Sequence, residues 1–141
     1  MGRIMAIDYG SKRSGLAVTD RLQLIAVGLD TVPSGELLPY IARYMKGETV
    51  ERFVVGFPKQ MDNKDSENMP RVQAFVRTLK GTFPDIPVVG YDERFTSLLA
   101  QRALLEGGAK KKKRRDKALV DAISAVIILQ SWMESNKTKQ L

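Results

Sequence analysis

Met5-Ala-Ile-Asp-Tyr-Gly-Ser-Lys-Arg-Ser-Gly-Leu-Ala-Val-Thr-Asp20 is the stretch that decides the fold. It reads as two short β-strands joined by a polar turn. The apolar residues 4–7 suit a strand covered on both faces, and residues 10–15 supply the glycines and polar groups a reversal needs. The first strand ends on a carboxylate, Asp8. Such a group is costly to desolvate unless it is paired, hydrogen-bonded or bound to a metal. Taken alone, Asp8 reads as an Asx-turn capping the backbone of Gly10. A second carboxylate at a later strand end and a third inside an apolar helix shift the reading toward one shared site.

Outward from this hairpin, the second strand covers 15–19 and a third covers 24–32, with Asp20-Arg21 as a tight reversal between them. Three strands with short connections make an antiparallel meander. Ser34 and Gly35 open a helix that accepts Pro39 in its first turn and runs to about Lys46, stopping at Gly47. Its residues Leu37, Leu38, Ile41 and Met45 fall at helical spacing and face the sheet. Residues 52–57 form a fourth strand, apolar as a central parallel strand is. The loop 56–63 follows at its carboxyl end, where open α/β sheets place ligands.

A helix over 68–79 presents Val72, Phe75, Val76 and Leu79 on one face, and Pro84 and Pro87 bracket the turn into a fifth strand, 88–91. That strand ends in Asp92-Glu93-Arg94. Thr96 or Ser97 caps a short helix over 98–106 that Gly107-Gly108 ends. Asp116 caps the last helix, 117–133, and 135–141 form a polar tail. The order β-β-β-α-β-α-β-α-α predicts an α/β fold with a five-stranded mixed sheet and helices on both faces. With no linker or internal repeat, residues 1–141 make a single domain.

Hydrophobic residues are 43% of the chain and no apolar run approaches the length of a membrane span, which predicts a soluble protein with no membrane partner. Cys and His are both absent. Thiolate and imidazole chemistry is therefore excluded, and any metal must be held by oxygen, which favours Mg2+ or Mn2+ over zinc. The net charge is +7, and the run K-K-K-K-R-R-D-K over 110–117 carries six of those charges. A charge run by itself is a solvated, mobile loop. Beside an acidic metal site it is what a phosphate-backbone substrate requires.

Glu93 lies past the fifth strand, at the same sheet edge as Asp8 if both strands run parallel. Asp92 competes with it, because alternation lets only one of the two face Asp8. Asp121 sits in the apolar segment 118–129 and shares a helix face with Ser124, Ala125 and Ile128. Small residues there let the helix approach the sheet closely. Clustered carboxylates repel unless a cation neutralises them, and one or two divalent ions do so at coordination distance. Such a site supports the two-metal logic of nucleases.

The blocks Asp8-Tyr-Gly-Ser-Lys-Arg-Ser-Gly-Leu-Ala-Val, Val55-Gly-Phe-Pro-Lys-Gln-Met-Asp, Asp92-Glu-Arg-Phe-Thr-Ser and residues 117–130 resemble, in order and spacing, the YqgF (also called RuvX) family of RNase H-like proteins. The resemblance implies a ribonuclease H-like fold, a cytoplasmic protein and a metal-dependent endonuclease that matures the 5′ end of pre-16S ribosomal RNA. The alternatives are a Holliday junction resolvase acting on branched DNA and a nucleic-acid-binding protein without catalysis. By block matching, the acidic catalytic and metal-binding positions fall on Asp8, Glu93 and Asp121. Lys12 and Arg13 match the basic turn and Arg94 the residue after the Glu; Lys111, Lys112, Lys113, Arg114 and Arg115 add phosphate-binding charge. The expected partner is structured RNA, within a pre-ribosomal particle or free, and the expected state is a monomer or weak homodimer.

Overall fold

A computed structural model describes residues 2–58, 68–93 and 113–140, and in the last helix the side chains of 122–135. The strands are β1 (Arg3–Asp8), β2 (Arg13–Thr19), β3 (Ala26–Pro33), β4 (Val50–Phe57) and β5 (Val88–Asp92). Among the described residues the helices are α1 (Leu37–Gly47), α2 (Met69–Thr82) and α3 (Lys113–Gln140), with a 3₁₀ turn, Ser34–Glu36, ahead of α1. One five-stranded sheet has the order β3-β2-β1-β4-β5. The β1–β2 and β2–β3 pairs are antiparallel, whereas β1–β4 and β4–β5 are parallel. β1, β4 and β5 therefore end at one common edge.

Both faces of the central strands are covered, as their continuous apolar runs predict. Met5, Ile7, Phe53 and Val55 point to one side, where they pack with Leu37 and Ile41 of α1 and Val72, Phe75 and Leu79 of α2. Ile4, Ala6, Ala17 and Val54 point to the other side, against Ala125, Ile128 and Leu129 of α3. Small residues bring α3 close. A Cβ on Gly28 of β3 would meet Val126 at 3.7 Å and Ala122 at 3.9 Å.

Three expectations need correction. The β2–β3 reversal is longer than Asp20-Arg21, because the Asp20 carboxylate accepts the backbone N–H groups of Leu24 (2.7 Å) and Ile25 (2.9 Å) and holds both out of the strand. Gln23 takes a positive φ of 58° there, and its amide donates to Gly2 O and Glu51. Leu22, Leu24 and Ile25 are left 67%, 61% and 59% exposed. The last helix begins at Lys113, not after a cap at Asp116, so 113–117 belong to a helix and not to a loop. Lys and Arg are good helix formers, and Asp116 then lies in the first turn, where a negative charge is favourable. Residues 135–140 also continue this helix and are no tail. No Gly or Pro interrupts them. The expected helix over 98–106 and most of the loop 56–63 lie outside the described residues.

At the amino end of the sheet, Arg3 Nε donates to Glu48 Oε2 at 3.0 Å and its Nη1 to Thr19 O at 2.9 Å. The hydrogen bond from Arg3 holds the Glu48 carboxyl below its usual range. A carboxyl depressed on folding contributes stability above its unfolded pKa and loses it as pH falls through the folded value. Glu48→Gln should therefore lower the urea midpoint at neutral pH, and the difference should shrink as pH falls below the usual carboxylate range. A difference that persists in acid would assign the loss to packing. Among the described residues, no helix is long and apolar enough to cross a membrane.

Candidate active site

Side-chain alternation places the strand-end carboxylates. Ile4 and Ala6 face α3, so Asp8 does too, while the next residue, Tyr9, stacks its ring on Phe75 of α2 on the opposite side at 4.7 Å. On β5, Tyr91 packs toward α3 and its hydroxyl lies 3.0 Å from Ser135 Oγ. Asp92 consequently points away and Glu93 returns to the α3 side. A Cβ built on Gly56 of β4 would stand 2.9 Å from Glu93 Oε1 and 2.6 Å from Ile128 Cδ1. Glu93, and not Asp92, is thus the carboxylate that shares a face with Asp8.

Asp8 is 8% exposed and Glu93 4%. β4 alone separates their strands, so the two backbones stand about 10 Å apart across two strand spacings. Between them lies Gly56, whose missing side chain leaves the room into which Glu93 reaches. Two buried carboxylates on the same face of the sheet, one of them reaching into the room at Gly56, make an oxygen-only donor set, and this fits a hard divalent cation. Among the described residues no group of three such ligands comes together, so the described part of the site is this pair. Position 121 lies in the backbone of α3, a turn before Ala125 and two turns before Ile128, which both pack on the sheet; its side chain is outside the described residues. Ser124, on the same stripe, is buried.

The turn between β1 and β2 carries Lys12, which is exposed, and β2 opens on Arg13, which is half-buried. Arg94, Lys111 and Lys112 lie outside the described residues. Lys113, Arg114 and Arg115 open α3, with their side chains likewise outside.

Sequence reasoning misses two features. Gly56 reads only as part of an apolar strand, although an isolated Gly inside a strand signals close approach of another group. Ser34 reads as a helix opener, yet its side chain caps nothing in the helix and bonds to the β1–β2 turn instead.

A family model described as RuvX, Holliday junction resolvase, matches residues 2–135. A protein of Parabacteroides distasonis is 64% identical over 137 residues, 97% of this chain and 98% of its own, and is named as a candidate pre-16S rRNA nuclease. A protein of the same name from Bacteroides fragilis is 59% identical, over 97% and 99% of the two chains. Among solved structures, Thermus thermophilus RuvC in complex with a Holliday junction substrate superposes with a TM-score of 0.57 at 19% identity, covering 96% of each chain. The Fowlpox virus resolvase bound to Holliday junction DNA gives 0.54 at 14% identity, over 94% and 97%. At these identities the structures speak for the fold, which is the ribonuclease H-like fold of RuvC.

Proposed function

Because this chain belongs to the RuvX family of Holliday junction resolvases, we propose that it is a divalent-metal-dependent endonuclease that trims the 5′ end of precursor 16S ribosomal RNA. The observation that supports this reading is the pair of buried carboxylates, Asp8 and Glu93, on the α3 side of the sheet, with Glu93 reaching into the room at Gly56. The substrate follows from the names of relatives that match nearly the whole chain.

In this reading Asp8 and Glu93 each supply carboxylate oxygens to one or two Mg2+ or Mn2+ ions, and Asp121 adds a third ligand from α3. When bound, such ions lower the pKa of water and stabilise charge on the leaving oxygen. Lys12, Arg13, Arg94 and the basic residues Lys111, Lys112, Lys113, Arg114 and Arg115 hold backbone phosphates and set the scissile bond against the carboxylates. Burial of Asp8 and Glu93 keeps competing water from the ligand oxygens. The protein acts in the cytoplasm, as a monomer or weak homodimer, on RNA that a pre-ribosomal particle presents.

The test is cleavage of labelled precursor 16S RNA and a four-way DNA junction side by side, with Mn2+, Mg2+ or chelator, by wild type and Asp121→Asn. Metal-dependent cutting of the RNA, abolished in the variant, is the expected result. Cutting of the junction alone would move the assignment to a resolvase, and no cutting of either to a binding protein. Neutralising Lys111, Lys112, Lys113 and Arg114 together should weaken RNA binding and flatten its salt dependence by about one unit of slope for each phosphate no longer held. An unchanged slope would reduce the run to a solvated surface.

A further inference from the structure

The turn that follows Asp8 is closed by two serine hydroxyls. Gly10 N–H donates to Ser14 Oγ at 3.3 Å, Ser14 Oγ lies 2.7 Å from Ser34 Oγ, and Ser34 Oγ donates to Gly10 O at 2.5 Å. Each hydroxyl has one proton to give. Since Ser34 gives its proton to the Gly10 carbonyl, Ser14 must donate to Ser34, which leaves a Ser14 lone pair for the Gly10 amide. The circuit starts and ends on Gly10 with every proton assigned. Ser34 also donates its backbone N–H to Lys12 O at 2.9 Å, so one residue outside the turn grips it at two points.

The turn is tight as well as clasped. A Cβ at Gly10 would stand 2.3 Å from Arg13 O. Ser14 is fully buried at the start of β2, and Ser34 arrives from the 3₁₀ turn after β3, 24 residues from Gly10. The β2–β3 ladder, which pairs Arg13 with Pro33, brings Ser34 beside the turn, but that backbone pairing does not call for the two hydroxyl bonds. The residues whose backbones the clasp fixes are those that carry Lys12 and Arg13 beside Asp8.

We propose that Ser14 and Ser34 are positioning residues that fix the β1–β2 turn so that Lys12 and Arg13 meet adjacent phosphates of the nucleic acid. The inference rests on the reading of Lys12 and Arg13 as phosphate ligands. If the clasp is opened the turn samples other conformations, and each phosphate is then held only part of the time. Binding weakens through the electrostatic part of the affinity, the part that salt reports.

The experiment measures the affinity of the full chain for a labelled precursor 16S RNA fragment across a salt series, in chelator so that no cleavage occurs. Four proteins are compared: wild type, Lys12→Ala/Arg13→Ala, Ser14→Ala/Ser34→Ala, and the variant with all four changes. The basic pair should reduce the slope of log affinity against log salt by about 1.4 to 1.8 units, two phosphates at about 0.7 to 0.9 each. The serine pair should reduce it by a similar amount, and the fourfold variant no further, because the two pairs act on the same phosphates. Ser34→Thr, which keeps the hydroxyl, should retain the wild-type slope.

A serine variant with a lowered melting temperature but a wild-type slope would make the clasp purely structural and overturn the inference. An unchanged slope in Lys12→Ala/Arg13→Ala would overturn the phosphate reading of the turn, and this inference with it. The two failures are told apart by which variant keeps the slope. If the double serine variant does not fold, Ser34→Ala alone opens the circuit at Gly10 O and is read in the same assay against the same two outcomes.

Discussion

Asp8→Asn should reduce metal-dependent cleavage by about a thousandfold or more, an increase of about 4 kcal/mol in the activation barrier, while leaving the fold and the RNA affinity in chelator close to wild type. Asn keeps the size of Asp and can still accept hydrogen bonds, but it has no charge to offer a cation. Asp8 is 8% exposed and shares its side of the sheet with Glu93 at 4%. Because Asn is nearly isosteric with Asp and keeps its hydrogen-bonding capacity, the melting temperature of the metal-free protein should stay close to wild type. That pairing of an abolished activity with an unharmed fold is what separates a ligand from a turn cap. An Asx-turn role predicts the reverse, a less stable protein with much of its activity retained. The check is a melting curve and a cleavage rate on the same preparation.

Gly56→Ala is expected to damage stability and activity for separable reasons. The added Cβ would stand 2.6 Å from Ile128 Cδ1 and 2.9 Å from Glu93 Oε1, both closer than atoms pack. Ile128 is fully buried in the α3 core, so its displacement should cost about 1 to 3 kcal/mol of stability. Glu93 is displaced at its carboxylate, the end that the proposed cation would contact. A shift of about 1 Å there should lower the cleavage rate on the order of a hundredfold. Adding Ile128→Val deletes the Cδ1 atom and relieves one clash only. The double variant should therefore regain most of the stability and little of the activity. Recovery of both together would mean that the Glu93 carboxylate is not where the chemistry happens.

Much of this architecture is legible in residue order because local signals agree with the tertiary environment. The apolar runs at 4–7 and 52–57 are central strands with both faces buried, and Asp8 stands at the end of the first of them. What is not legible depends on packing between distant segments. The choice between Asp92 and Glu93 turns on the phase of β5, which is set by Tyr91 packing against α3, and a shift of one residue would exchange the two. Ser34 has ordinary helix-opening character, and nothing near it in the chain signals a bond to Gly10. The start of α3 is hidden for another reason. A dense run of Lys and Arg looks like a loop by its charge, while each of its residues is a good helix former.

In the proposed site Asp8 and Glu93 both hold divalent metal, as one ion or two. The most direct test is the melting temperature of wild type, Asp8→Asn and Glu93→Gln, each with and without Mn2+, at an ion concentration about a hundred times the wild-type dissociation constant. At that ratio binding stabilises a protein by about 2.7 kcal/mol, which for a chain of this size corresponds to a rise of about 5 to 10 °C. Wild type should show that rise, and both variants should forfeit most of it. An equal rise in all three proteins, or none in wild type, would contradict the shared site.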